Sequence, residues 1–246
     1  MRKLLTSIKK RFNRYLMPRY RVVHRYDSRL LVDSHNWIDA RVIARAPYEN
    51  EQLAVCQQII RDRRIDTFID VGANFGLYSV VLNSTTPLKQ TYAFEPVTRN
   101  FHQLCGNLFV NQLGQRVTPL QLAASDVEGE AEIHVDPEST GVSRLSLEDS
   151  GRDNQVYRHS ETIRMVRIDE QLSLAGARIF IKIDVEGHEM AALRGMTGLL
   201  RKNQVCLQVE ASGDDRLAEL DAFFSALGYR FEGAIGIDRR YSNFAD

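Results

Sequence analysis

Five ionisable side chains crowd into eight residues of the run Lys182-Ile-Asp184-Val-Glu186-Gly187-His188-Glu189, which follows the apolar stretch Ile179-Phe-Ile. Such groups at the end of a buried strand are costly unless they pair or do chemistry. Strand alternation would aim Lys182, Asp184 and Glu186 to one face. The competing reading is a salt-bridged cluster at a helix start, where acids favour the dipole. Other apolar runs end in the same way: Thr67-Phe-Ile-Asp-Val71 breaks at Gly72, Thr91-Tyr-Ala-Phe94 meets Glu95, and Val205-Cys-Leu-Gln-Val209 meets Glu210. Asp70, Glu95, Asp184 and Glu210, at four successive strand ends, describe one acidic crevice.

The turn Asp70-Val-Gly72-Ala-Asn74-Phe-Gly76 has two glycines four apart, which let a backbone approach a ligand closely. Asn74 stands where a G-x-G-x-x-G loop has its middle glycine, so a pyrophosphate fits it less well, and Asp70 suits a cationic ligand part. Glu95, 25 residues beyond Asp70, can accept hydrogen bonds from both hydroxyls of a ribose. Ala123-Ala-Ser-Asp126 offers small side chains and one carboxylate to flank an adenine ring.

The elements that must position these residues alternate. Helices are expected over 51–64, from 77, after Pro96 to about 111, over about 189–200 and over 214–227, between strands at 67–71, 91–94, 117–123, 179–183 and 205–209. That rhythm predicts an α/β fold, a mostly parallel sheet with helices on both faces, whose ligands bind at the carboxyl ends of the strands. Residues 130–135 and 162–168 read as additional strands around a polar stretch, 136–160, that is either a substrate-side insertion or a surface loop. A hairpin turning at Gly233 closes the chain over 229–237.

At these residues the sequence resembles the FkbM family of S-adenosylmethionine-dependent methyltransferases. The resemblance rests on Phe68-Ile-Asp-Val-Gly-Ala-Asn-Phe-Gly76, Phe94-Glu-Pro96, Ile181-Lys-Ile-Asp-Val-Glu-Gly-His-Glu189 and Leu193-Arg-Gly195, and covers roughly residues 50–212. It implies a Rossmann-like class I methyltransferase fold with a reversed final strand. It also implies S-adenosylmethionine held by Asp70, Gly72, Asn74 and Gly76, with Glu95 on the ribose and Asp126 near the adenine. The family is associated with O-methylation of hydroxyls, often on sugars of surface polysaccharides and glycolipids or on natural products. Transfer to an alcohol needs alignment and a base. Asp184 is the first candidate base, oriented by Lys182. His188 is the second, and third is a Mg²⁺ held by Asp184, Glu186 or Glu210 that acidifies the hydroxyl. The different-class alternatives are a nicotinamide-dependent oxidoreductase, which lacks its Tyr-x-x-x-Lys pair here, and a lapsed S-adenosylmethionine-binding protein.

The 246 residues, 43% hydrophobic and 26% charged, suit a globular chain with a substantial core. The net charge of zero conceals an asymmetry. Residues 1–30 hold ten basic residues and one acidic residue, leaving 22 basic and 31 acidic residues, a net charge of −9, in 31–246. The division expected is therefore a basic leader, 1–30, and a methyltransferase domain, 31–246. Leu4, Leu5, Ile8, Phe12, Tyr15 and Leu16 form one apolar stripe on a helix with cations around it, suited to an anionic membrane surface or a protein partner. An acidic body argues against nucleic acid. Three scattered cysteines, Cys56, Cys105 and Cys206, fit a reducing, cytoplasmic compartment, with the inner face of a membrane as the site of any peripheral binding. The acceptor expected is a sugar or small-molecule hydroxyl.

Overall fold

The computed structural model describes residues 17–135 and 159–245. The apolar stripe of residues 4–16 and most of the 136–160 stretch lie outside the described residues. In chain order, β1 (Tyr20–Arg25) and β2 (Ser28–Asp33) precede α1 (Trp37–Ile43), α2 (Asn50–Asp62), β3 (Thr67–Val71), α3 (Leu77–Thr85), β4 (Gln90–Phe94), α4 (Thr98–Val110) and β5 (Val117–Leu120). Then come β6 (Ala123–Ala124), β7 (Gly129–Val135), β8 (His159–Val166), α5 (Ile168–Gln171), β9 (Arg178–Ile183), α6 (Glu189–Arg194), α7 (Thr197–Lys202) and β10 (Gln204–Glu210). The chain closes with α8 (Asp214–Ala226), β11 (Arg230–Ile235) and β12 (Asp238–Ser242).

Seven strands form the main sheet in the order β11-β12-β10-β9-β3-β4-β5. β10, β9, β3, β4 and β5 run parallel, and β12 is antiparallel to β10, the reversed strand expected. The central strands are buried on both faces, which is why they read as continuous apolar runs. Their two-residue period sorts the core. Phe68 and Phe180, in register with Cys206, pack on one face, whereas Ile69, Ile181 and Leu207 pack on the other. The same period puts Asp70 and Lys182 beside each other on the Phe68 face.

Four features differ from the sequence expectation. The expected boundary after residue 30 falls inside β2, whose Leu30 and Val32 are fully buried. Gln103 and Asn107 on α4, and Asn111 just after it, hydrogen-bond the β2 backbone at Leu31 and Arg29, so the hairpin is stitched to the body, with Arg19 paired to the buried Asp33. The expected third strand divides: β5 ends at Leu120, whose carbonyl accepts the Glu95 N–H, and Ala123–Ala124 instead joins β8 and β7 in a second, three-stranded sheet. The helix expected over 189–200 breaks at Gly195. There a Cβ would lie 1.9 Å from the Ser125 carbonyl oxygen, and the Asp169 carboxylate caps α7 by accepting the Gly198 and Leu199 N–H groups at 2.8 and 2.7 Å. Finally, the closing hairpin turns at Gly236 (φ +61°), while Gly233 sits at a bulge within β11.

Gly72 sets how closely β3 and β9 end. Its φ is +79°, and a Cβ there would lie 1.9 Å from the backbone oxygen of Asp184. Gly72→Ala should therefore cost several kcal/mol or abolish folding. Gly114→Ala, where no atom lies within 4 Å of the added carbon, should stay near wild type in chemical denaturation.

Candidate active site

The Lys182 side chain reaches the carboxyl end of the sheet almost fully buried. Its Nζ donates to Asp184 Oδ2 at 2.9 Å and lies 4.8 Å from the centre of the Tyr78 ring. Burial by itself would lower the Lys182 pKa, but the adjacent Asp184 and Asp70 outweigh it and hold the ammonium well above its ordinary value. Asp70 accepts the Ser79 N–H at 3.1 Å and the Ser79 hydroxyl at 2.7 Å, tying β3 to the first turn of α3. Its carboxyl is raised by burial, with Lys182 pulling it back. The Tyr78 hydroxyl donates to Glu49 at 2.6 Å, and burial raises the Glu49 carboxyl too. Glu210 is pushed upward by its burial and then by neighbouring Asp184.

Two cavities meet at these strand ends. The first, of about 640 Å³, is lined by Phe94, Glu95, Ala124, Ile133, Ile163 and His188. The second, of about 910 Å³, is lined by Trp37, Tyr48, Glu49, Asp70, Lys182 and Glu210. Gly72, Asn74, Asp184 and Glu186 border both. The expected single crevice is thus two compartments. Asp70 and Glu210 face the second, Glu95 the first, and Asp184 stands at the junction, because the chain after β9 turns sharply through Glu186 (φ +49°) and Gly187 (φ +102°).

Glu95 is buried and held by its own turn. Its Oε2 accepts the Asn74 N–H at 2.8 Å, and its Oε1 accepts the Val97 N–H at 2.9 Å. Asn74 manages the middle position of the turn at φ +52°, a left-handed conformation that asparagine tolerates better than most residues. The second sheet, through Ile133 on β7 and Ile163 on β8, supplies an apolar wall facing Glu95. A flat, partly apolar ring and a diol fit this compartment, as a nucleoside would.

Several expected residues stand elsewhere. Gly76 lines neither cavity; it starts α3 at φ +87°, where a Cβ would meet Leu104 at 2.5 Å, so packing accounts for it. Asp126 faces Arg194 at 3.8 Å rather than the first cavity. His188 lies in the first cavity with Nε2 3.1 Å from Ser125 Oγ, separated from the Lys182 cavity, and burial lowers its pKa. It therefore lines the first compartment, which Asp184 also borders, and not the second, which holds Lys182. Among the described residues no three His, Cys, Asp or Glu side chains converge as a metal-holding set, and Asp184, a proposed Mg²⁺ ligand, is engaged by Lys182. Trp37, Tyr48 and Glu49 were not legible as site residues, since only the packing of α1 and the 44–49 turn brings them there, and Tyr78, in the first turn of α3, was not singled out because nothing local marks its contact with Lys182.

A family model described as the methyltransferase FkbM domain matches residues 70–231. The chain belongs to the FkbM methyltransferase family. Among curated relatives, the hexuronic acid methyltransferase AglP of Haloferax volcanii is 28% identical over 155 residues, covering 61% of this chain and 59% of the relative. The methyltransferase sdnD of Sordaria araneosa is 27% identical over 153 residues, covering 52% and 59%. The matched part thus spans less than two thirds of either relative. Among solved structures, an FkbM methyltransferase from Methylobacillus flagellatus superposes with a TM-score of 0.51 at 18% identity, over 72% of this chain and 43% of that one. The METTL16 methyltransferase domain does so with a TM-score of 0.53 at 10% identity, over 100% and 81%. These two share the fold.

Burial pushes the Glu95 carboxyl from 4.5 up to about 7, against the lowering effect of the Val97 and Asn74 amides. A carboxyl raised in this way binds its proton more tightly folded than unfolded. Its contribution to stability is complete below 4.5 and is lost as pH rises through about 7. Glu95→Gln should flatten the decline in Tm across that window in pH-dependent thermal unfolding. It should not abolish the decline, because Asp39 is likewise pushed up to about 7 by burial.

Proposed function

We propose that this FkbM-family protein is an S-adenosylmethionine-dependent O-methyltransferase. Its acceptor on this reading is a sugar hydroxyl of a surface polysaccharide, glycolipid or glycosylated natural product. One observation carries the reading: Asp184, paired with Lys182, stands where a nucleoside-shaped compartment opens into a larger acidic one. The residues of the first compartment fit the cofactor. Glu95 can accept from a ribose diol, Ile133 and Ile163 can cover a purine, and the turn from Gly72 to Asn74 lines the floor of the compartment with backbone.

S-adenosylmethionine, when bound, supplies a methyl group on a sulfonium, whose sulfur keeps the electron pair as the methyl leaves. The chain's own residues then have three tasks. The first compartment orients the donor, the second brings the hydroxyl into line, and Asp184 takes the hydroxyl proton as the O–C bond forms. Lys182 fixes that carboxylate in place. One curated relative is a hexuronic acid methyltransferase, which supports an acceptor of the sugar class.

The basic residues near the N-terminus add a proposal about location. An acceptor carried on a lipid would give the apolar stripe of residues 4–16 and the cations around it an anionic surface to bind. Deleting residues 1–16, which leaves β1 intact, should then abolish flotation with anionic liposomes. Equal flotation of both chains would end that idea.

Calorimetric titration with S-adenosylmethionine and with NAD tests the main reading. Binding of S-adenosylmethionine alone is expected, weakened in Glu95→Ala. Asp184→Asn should keep that binding while lowering methyl transfer by about two to four orders of magnitude. Binding of NAD instead would make the protein an oxidoreductase, binding of S-adenosylmethionine without transfer to any sugar a lapsed enzyme, and binding of neither would overturn the reading.

A further inference from the structure

The chain's only tryptophan, Trp37, is 50% exposed, yet it lines the same cavity as Lys182 and Asp184. A large indole left half in water at the wall of a cavity is unusual enough to ask what covers it. Its position is firmly set. Asn36 caps α1 through the Ile38 and Asp39 N–H groups at 2.9 and 3.4 Å. The buried Asp39 carboxylate ties the helix to β2 and α4, accepting from the Asp33 N–H and the Gln103 amide, both at 2.6 Å. The Arg41 guanidinium lies 5.0 Å from the Trp37 ring centre and 5.8 Å from that of Tyr48, while its Nη2 donates to the Pro47 carbonyl at 2.7 Å. The indole is thus carried on a braced element.

The rest of the cavity defines what suits it. Its wall holds five carboxyl groups, Glu49, Asp70, Asp184, Glu186 and Glu210, and among the described lining residues the one cation is Lys182, already bound to Asp184. Among the described charged groups of the wall, a carboxylate or phosphate entering here would meet only carboxyl groups and an already engaged Lys182, while Arg41, the cation against the Trp37 ring, is held by the Pro47 carbonyl. A ligand rich in O–H donors would be accepted, and an aromatic platform favours one with a flat face of polarised C–H groups. An uncharged pyranose has both; a simple aliphatic alcohol has neither.

Resting on the methyltransferase reading, we propose that Trp37 is the stacking platform on which an uncharged pyranose enters the second cavity, presenting one hydroxyl to Asp184. The acidic wall excludes sugars with a carboxylate beside that hydroxyl. The acceptor class therefore differs from the hexuronic acid named for the Haloferax relative.

Because Trp37 is the single tryptophan, emission excited on the red edge of the indole band, where the nine tyrosines do not absorb, reports on this cavity alone. Cellobiose and methyl β-glucopyranoside should shift that emission to the blue saturably, and glucuronate at equal concentration should not. By calorimetry, Trp37→Phe should retain cellobiose binding, while Trp37→Ala should weaken it at least about tenfold. Both variants should bind S-adenosylmethionine as the wild type does. No emission response to either neutral sugar, an equal response to glucuronate, or unchanged cellobiose binding in Trp37→Ala would each overturn the proposal. If S-adenosylmethionine binding fails while the sugar response persists, the methyltransferase reading falls and the platform stands as a carbohydrate site.

Discussion

A buried ammonium in a parallel sheet survives only if anions surround it, and Lys182 has gathered them. Asp184 accepts its hydrogen bond, Asp70 sits beside it in register, and the Tyr78 ring lies beneath it. Each partner belongs to a different piece of the fold. Asp70 ends β3 and holds the start of α3 through Ser79, Tyr78 reaches to Glu49 ahead of α2, and Asp184 begins the turn into α6. Satisfying one charge therefore draws together the strand ends, two helix starts and the turn that borders both cavities.

The close approach of β3 and β9 makes that arrangement geometrically possible. Gly72 leaves room for the Asp184 carbonyl, and the Asp184 N–H donates to Val71 at 3.0 Å. The division of the crevice follows. On one side the turn carrying Asn74 is fastened to Glu95, and on the other Lys182 and Asp70 occupy the floor. The two compartments are finished by elements outside the main sheet: the β6-β8-β7 sheet over the first, and α1 with the 44–49 turn over the second. A common frame finished by separate walls lets one fold carry different sites.

Legibility varied with the range of the forces involved. The central strands and the longer helices were visible within a residue or two, because burial on both faces writes a continuous apolar run and amphipathic helices write a periodic one. Interruptions were not. Nothing local at Gly195 announces that Asp169, 26 residues earlier, caps a new helix there. Likewise β1 and β2 look like the end of a basic leader, since their arginines dominate the pattern while the pairing of Arg19 with Asp33 and of β2 with α4 is tertiary.

The sequence by itself determined the α/β frame and the carboxylates at its strand ends, because a two-residue period and a glycine turn are local facts. It also determined that Lys182 and Asp184 share a face. The tertiary structure decided which carboxylate faces which compartment, that His188 belongs with Ser125 and Gly76 with Leu104, and that Trp37 reaches the cavity at all. Those outcomes turn on where separate elements pack and on how the backbone bends through Glu186 and Gly187. Packing of that kind is settled by contacts between residues far apart in the chain, which no local spacing records.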